Sequence, residues 1–179
     1  ELDMDSDRTV FLYLGQIRPY KQVPQLIDSF KQLPSTDLSL IVAGKPTDEA
    51  EARRVRNKSQ EDDRITTNLK YIPDKKLQIY FNAADAVVLP FREILTSGSA
   101  ILGMTFGNPI IGPRVGCLPE LLQQQEDLLY DPKRESLKNV LQRSRTADFD
   151  SIGKRNRQNI MEYTWDDIGA ETRQIYETL

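Results

Sequence analysis

The chain has 179 residues, which is enough for one well-covered domain and few for two. Apolar residues make up 39% and charged residues 28%, a balance typical of a soluble globular domain. The 24 Lys and Arg residues against 27 Asp and Glu give a net charge of −3, so we expect no nucleic-acid partner. The absence of histidine and the single cysteine, Cys117, exclude imidazole-dependent catalysis, an internal disulfide and a cysteine zinc cluster, and favour a cytoplasmic location.

Short apolar runs that end in glycine or proline recur along the chain and predict strands buried on both faces of a parallel sheet. These runs cover residues 9–14, 38–43, 86–89 and 109–111. A weaker strand is expected over 65–72 and a short one around 128–130. Together they make a sheet of about six strands.

Segments with helical spacing of apolar residues lie between the strands, and this alternation predicts βαβ units. The charged segment 48–63 is predicted to be an exposed helix, and Asp74 is expected to cap the next one. From Lys133 onward the pattern is helical, with a new start at Thr164. The predicted fold is α/β, a doubly wound Rossmann-like parallel sheet with helices on both faces.

Doubly wound sheets bind ligands at the carboxyl ends of their strands, so the loops that follow the strands are the candidate sites. The first loop carries Gly15, Arg18 and Lys21 just before a helix. A guanidinium and an ammonium beside a helix start are suited to a diphosphate, although solvated loop cations remain the alternative. The loop lacks the glycines of a dinucleotide-binding fingerprint and is not a Walker loop.

A cluster of hydroxyl side chains and a glycine stands at the start of the helix after the fourth strand. The cluster consists of Thr96, Ser97, Gly98 and Ser99. Exposed amide groups and the helix dipole favour an anion there, and glycine lets a phosphate approach closely. Simple capping of the helix by one of the hydroxyls is the alternative.

Six sequence blocks in a fixed order give the chain a family resemblance. They are Gly15-x-x-x-x-x-Lys21, Ile41-Val42-Ala43-Gly44, Tyr71-Ile72-Pro73, Ala84-Asp85-Ala86-Val87-Val88-Leu89-Pro90, Gly107-Asn108-Pro109-Ile110-Ile111 and Val115-Gly116-Cys117-Leu118-Pro119-Glu120. Over nearly the whole chain this order resembles the C-terminal domain of group 1 (family 4) GT-B glycosyltransferases.

The resemblance implies that residues 1–179 are a single donor-binding domain, one half of a GT-B fold, with a C-terminal helix at 165–179. The chain opens without an initiator Met, so we expect the N-terminal acceptor domain to lie outside it.

By resemblance, Lys21 holds the diphosphate of the donor, and residues 96–99 lie in the diphosphate-binding position. The family's arginine directly after the glycine is replaced by Gln16, which leaves Arg18 as a substitute. Tyr71 and Ile72 lie where family members hold the nucleobase.

The chain departs from the family at two glutamates separated by seven residues. The corresponding positions hold Ile94 and Leu102, and Glu93 stands one place early. By resemblance, the second glutamate usually contacts the ribose of the nucleotide, and Leu102 removes that contact. Glu93 reaches the sugar if the loop shifts by one residue, and a surface charge is the alternative.

The function implied is glycosyl transfer from a UDP- or GDP-sugar to a sugar or lipid-linked acceptor in polysaccharide or glycolipid synthesis. Transfer would proceed with retention and without a metal or other cofactor, using Lys21, Arg18 and Glu93. Alone, this chain is expected to bind nucleotide weakly and transfer nothing. Attachment to the inner membrane face is left to the full-length protein. The alternative is a non-catalytic nucleotide-binding or scaffold module of a glycosyltransferase complex.

Overall fold

The computed structural model describes residues 8–34 and 36–178, and within them six strands form one parallel sheet. The strands are β1 Thr9–Leu14, β2 Leu38–Ala43, β3 Ile65–Asn68, β4 Ala86–Val88, β5 Ile110–Pro113 and β6 Leu129–Tyr130. Their order across the sheet is β3-β2-β1-β4-β5-β6, so the strand order reverses between β1 and β4. The carboxyl ends of these two strands therefore mark the expected ligand-binding edge.

The predicted sheet is confirmed in its class, its number of strands and their parallel direction. One strand is shorter than the sequence predicts: the pattern extends β3 to residue 72, but the strand ends at Asn68. Asn68 lies opposite Ala43, the last residue of β2, so the following residues have no neighbouring strand with which to pair.

Eight α-helices connect or follow the strands in the described residues. They are α1 Val23–Lys31, α2 Glu49–Ser59, α3 Asp74–Asn82, α4 Gly98–Thr105, α5 Leu118–Leu121, α6 Leu137–Ser144, α7 Phe149–Met161 and α8 Trp165–Glu177. Two short 3-10 segments lie at Pro19–Lys21 and Gln123–Leu128.

Side-chain caps explain where several helices begin. Ser136 accepts a hydrogen bond from the amide of Asn139, so α6 starts at Leu137 rather than near Lys133 as expected. The predicted start after Thr164 is confirmed. Asp74 was wrongly expected to cap α3, because it is already the first helical residue and Pro73 holds the capping position.

The core consists of strand side chains that are buried on both faces of the sheet, as the continuous apolar runs predict. Helix α1 covers one face with Val23, Leu26, Ile27 and Phe30, all fully buried. The ring of Phe30 meets that of Phe11 edge to face, with 6.4 Å between centroids. This packing holds α1 against β1.

A buried polar network joins the segment between α4 and β5 to α7. The Asn156 amide donates to the backbone carbonyl of Asn108 (2.9 Å), and its oxygen accepts from Gln125 (3.0 Å). The Gln125 oxygen in turn accepts from the backbone N–H of Ile110 (2.9 Å). Each side chain thus satisfies groups that would otherwise be costly to bury.

Helix α8 differs from the others because none of its residues is buried. Thr164 caps it, accepting a hydrogen bond from the amide of Asp167. Trp165 at its start is 88% exposed, and several further apolar side chains of this helix also face solvent. No helix in the part of the chain that the structure describes is long and apolar enough to cross a membrane.

Candidate functional site

Two glycines bring the ends of β1 and β2 into close contact. The backbone N–H of Gly15 donates to the carbonyl of Ala43 at 3.0 Å. Gly44 has a φ of +146°, and a Cβ on it would lie 1.8 Å from the carbonyl oxygen of Gly15. Only glycine fits at this position, so Gly44 at the end of β2 is required for the close approach of the loop after β1.

Gly15 forms the floor of a small polar cradle. A Cβ on Gly15 would lie 3.3 Å from the Ser99 hydroxyl, 3.7 Å from the Lys21 ammonium and 3.9 Å from the Tyr13 hydroxyl. These groups come from β1, the loop after it and the start of α4. The structure therefore brings together three residues that the sequence predicts as site residues, Gly15, Lys21 and Ser99, and adds Tyr13.

Lys21 ends the 3-10 segment, and its ammonium lies against aromatic rings. It is 4.6 Å from the ring centroid of Phe91 and 5.9 Å from that of Tyr20. Burial lowers the pKa of Lys21, and the positive charge of Arg18 lowers this pKa further. Among the described residues no carboxylate forms an ion pair with Lys21, so its charge is available to an incoming anion.

Arg18 is exposed, and its side chain is positioned by Gln16. Its Nε donates to the side-chain oxygen of Gln16 at 2.9 Å. The backbone carbonyl of Gln16 accepts from the Tyr13 hydroxyl, also at 2.9 Å. Gln16 thus holds Arg18 toward the same edge of the sheet, where its charge reaches Lys21.

The hydroxyls at the start of α4 have different roles. Ser97 is buried and caps the helix, because its oxygen accepts from the amide of Ala100 at 3.1 Å. Ser99 faces Gly15, whereas Thr96 is exposed. No atom lies within 4 Å of the Cβ position of Gly98, so space is open beside the first helical residue. The first amide groups of a helix have no intrahelical acceptor and can bind an anion.

A cavity of about 400 Å³ opens on one side of the cradle, at the ends of β1 and β2. Its lining includes Gly15 together with Tyr71 and Ile72, the two residues predicted for the nucleobase. Ile72 is buried, while the ring of Tyr71 is 68% exposed. The other lining residues, which the sequence pattern does not indicate as site residues, are Leu14, Gln16, Gly44, Lys45 and Leu77.

A second, more open cavity of about 580 Å³ lies beside the loop after β4 and is lined by Tyr20, Glu93, Ile94, Leu95 and Thr96. Tyr20 directly precedes Lys21, so this cavity lies near the cradle, and it shares no lining residue with the first cavity. Glu93 is exposed and forms an ion pair with Arg92 at 3.1 Å.

The two positions where the resemblance implies glutamates are occupied by apolar side chains that pack partly against the core. Ile94 and Leu102 both make this packing. The backbone oxygen of Ile94 lies 2.0 Å from where a Cβ on Gly116 would be, and Gly116 has a φ of +55°. The loop is therefore held close to the one after β5, and Glu93 is the carboxylate that it carries into the second cavity.

Phe91 and Tyr20 are part of the site although the sequence analysis assigned them no role. Each lies within a predicted loop, but the pattern gives no sign that Phe91 meets a cation 70 positions earlier in the chain. Within the described residues, no group of three or more His, Cys, Asp or Glu side chains could hold a metal ion.

A family model, described as glycosyl transferases group 1, matches residues 8–146. The chain belongs to this family. Among curated proteins it is 31% identical, over 113 residues, to the GDP-mannose:glycolipid 4-beta-D-mannosyltransferase of Xanthomonas campestris pv. campestris. It is 26% identical over 136 residues to the lipopolysaccharide 1,2-N-acetylglucosaminetransferase of Salmonella typhimurium. These matches cover 62% and 68% of this chain but 32% and 34% of the relatives.

Solved structures of other proteins share this fold over almost all of the chain. Sucrose-phosphate synthase from Thermosynechococcus elongatus has a TM-score of 0.83 at 28% identity and covers 99% of this chain. The Anabaena protein HepE, solved in complex with UDP, has a TM-score of 0.82 at 16% identity and covers 97%. This chain spans 47% and 50% of those two proteins.

Proposed function

We propose that this chain is the donor domain of a glycosyltransferase and that the cradle of Gly15, Lys21 and Ser99 binds the diphosphate of a nucleotide sugar. The carrying observation is the convergence of an unneutralised ammonium, a hydroxyl and a glycine floor at the start of α4. Membership of the group 1 glycosyltransferases supports this assignment.

A diphosphate carries several negative charges, so its strongest partners are charge-assisted hydrogen bonds from cations and amide groups. Lys21 supplies an ammonium, Ser99 a hydroxyl, and the first amides of α4 supply further donors. Gly15 lets a phosphate oxygen approach because no Cβ occupies the space. The arrangement therefore offers several donors from different elements to one anion.

The two cavities near the cradle offer places for the nucleobase and the sugar of the donor. The nucleobase would enter the 400 Å³ cavity beside Tyr71 and Ile72, and the sugar would extend toward Glu93 in the 580 Å³ cavity. The assignment gives no role to Thr96, which is exposed, or to Ser97, whose oxygen caps α4. HepE, a protein of the same fold, was solved with UDP, and the Xanthomonas relative is named for GDP-mannose.

The proposed reaction is glycosyl transfer with retention at the anomeric carbon and without a metal. As the bond from the anomeric carbon to the diphosphate breaks, negative charge grows on the leaving group. Lys21, Arg18 and the start of α4 would stabilise that charge more strongly than the ground state, which lowers the barrier. The acceptor, a sugar or lipid-linked chain of polysaccharide or glycolipid synthesis, would be bound by parts of a longer protein. Any attachment to the inner membrane face would also come from those parts.

A non-catalytic module that binds nucleotide is the second candidate. Gln16 and Leu102 favour it, because both replace residues that the family uses for the donor. The glycosyl-transfer rate of a longer protein that contains this chain would distinguish the two candidates. A rate that Lys21→Ala leaves unchanged would favour the non-catalytic module.

The direct test is to titrate the chain with GDP, UDP and ADP and to measure binding by amide NMR shifts and by calorimetry. Lys21→Ala is expected to weaken binding by about tenfold to a hundredfold, since a hydrogen bond to a charged group contributes about 1.5–3 kcal/mol. Lys76→Ala, in the exposed part of α3, is the matched control and should bind normally. Absence of binding at millimolar nucleotide, or shifts remote from Lys21 and Ser99, would contradict the proposal.

A further inference from the structure

The ammonium of Lys21 is held by aromatic rings where a carboxylate would be the usual partner. Its nitrogen lies 4.6 Å from the centroid of Phe91 and 5.9 Å from that of Tyr20, both within the range of a cation–π interaction. The two ring centroids are 6.4 Å apart. Phe91 is 1% exposed, so its ring has little freedom to move away from the cation.

A backbone hydrogen bond joins the two segments that carry these rings. The N–H of Arg92, directly after Phe91, donates to the carbonyl of Tyr20 at 2.9 Å. This bond joins the loop after β4 to the 3-10 segment that carries Lys21. The segments that carry the Phe91 ring and Lys21 are thereby joined by a main-chain hydrogen bond as well as by packing.

The difference between a ring and a carboxylate matters for an anion site. A carboxylate would hold the lysine but neutralise it. Glu93, the carboxylate in the adjacent cavity, pairs instead with Arg92. A ring face attracts the cation through its quadrupole and adds no net charge, so the positive charge stays available.

We propose that Phe91 is a positioning residue whose ring holds the Lys21 ammonium over the Gly15 cradle, ready for the diphosphate, with Tyr20 as a second wall. This inference rests on the proposed function. Holding the side chain in place avoids part of the ordering cost of binding, which corresponds to about twofold to tenfold in affinity.

The test varies the ring electronically while keeping its shape. Phe91 is replaced by difluoro- and trifluorophenylalanine, which withdraw electron density from the ring face, and by leucine. GDP and UDP affinity should fall stepwise, by about twofold to tenfold for Phe91→Leu. The affinity for guanosine and uridine, which lack phosphate, should stay unchanged.

The matched control is the same fluorination at Phe81, which is equally buried at 1% exposure and stacks on Phe106. It should change neither affinity. If Phe91→Leu weakens nucleoside and nucleotide equally, or if fluorination at Phe91 leaves nucleotide affinity constant, the positioning role is wrong.

A measurement without nucleotide separates this inference from the proposed function. The ε-methylene protons of Lys21 should show an upfield ring-current shift in the NMR spectrum, and Phe91→Leu should remove it. If that shift is present and the wild type binds neither nucleotide, the proposed function fails and the positioning role for a diphosphate fails with it. If nucleotides bind but the shift is absent, the positioning role alone is overturned.

Discussion

Adding one methyl group to Gly15 is expected to weaken nucleotide binding and to strain the folded chain. The new Cβ would lie 3.3 Å from the Ser99 hydroxyl and 3.7 Å from the Lys21 ammonium, in the space assigned to a phosphate oxygen. Loss of one charge-assisted hydrogen bond costs about 1.5–3 kcal/mol, so GDP or UDP should bind about tenfold to a hundredfold more weakly. The φ of +151° adds strain of about 1–3 kcal/mol to the folded state.

Urea unfolding followed by far-UV circular dichroism gives the stability of Gly15→Ala, and calorimetry gives its nucleotide affinity. Gly44→Ala should behave differently and largely fail to fold, because its Cβ would lie 1.8 Å from a backbone oxygen. Gly169→Ala in the exposed helix α8, where no atom lies within 4 Å, should alter neither binding nor folding adversely. A Gly15→Ala chain that is strained as expected yet binds nucleotide within twofold of wild type would refute the cradle as the phosphate site.

Two further predictions concern stability. Asn156→Ala should lower the free energy of unfolding by about 2–5 kcal/mol in urea, because it leaves buried partners in Asn108 and Gln125 without hydrogen bonds. A loss no larger than that of Asn159→Ala in the same helix would count against the network. Lys21→Met should raise stability at neutral pH, because burial of the ammonium lowers its pKa and therefore costs folding energy while it is protonated. This gain over wild type should shrink as the pH rises through the lowered pKa toward 10.5, the ordinary value. Lys76→Met is the control, and a gain from Lys21→Met that does not depend on pH would contradict the prediction.

The sheet could be predicted because strands buried on both faces appear in the sequence as continuous apolar runs. Strands β1 and β2 are continuous apolar runs, and each ends at a glycine that the loop geometry requires. The short β3 was extended too far, because its length depends on where the neighbouring β2 ends. The start of α8 after Thr164 follows from the sequence pattern, whereas the start of α6 is set by the Ser136 cap, which the pattern does not indicate.

The candidate site could be predicted only loop by loop. The residues in each loop follow from the position of the loop at the carboxyl edge of the sheet, which is why Gly15, Lys21 and Ser99 were singled out. The contacts between loops depend on tertiary packing, so the meeting of Phe91 with Lys21 left no pattern along the chain. The same holds for Gln16, whose role as the partner of Arg18 is visible only in the folded protein.

The exposure of α8 has a practical consequence for spectroscopy. Trp165 is the single tryptophan of the chain, and its indole is 88% solvent-exposed in the folded state. Its fluorescence emission will therefore resemble that of the unfolded chain, and thermal melts followed at this wavelength will hardly register the loss of the core. The same indole becomes a background-free reporter for any molecule that covers α8, because a shift of its emission to the blue would have no other source in this protein.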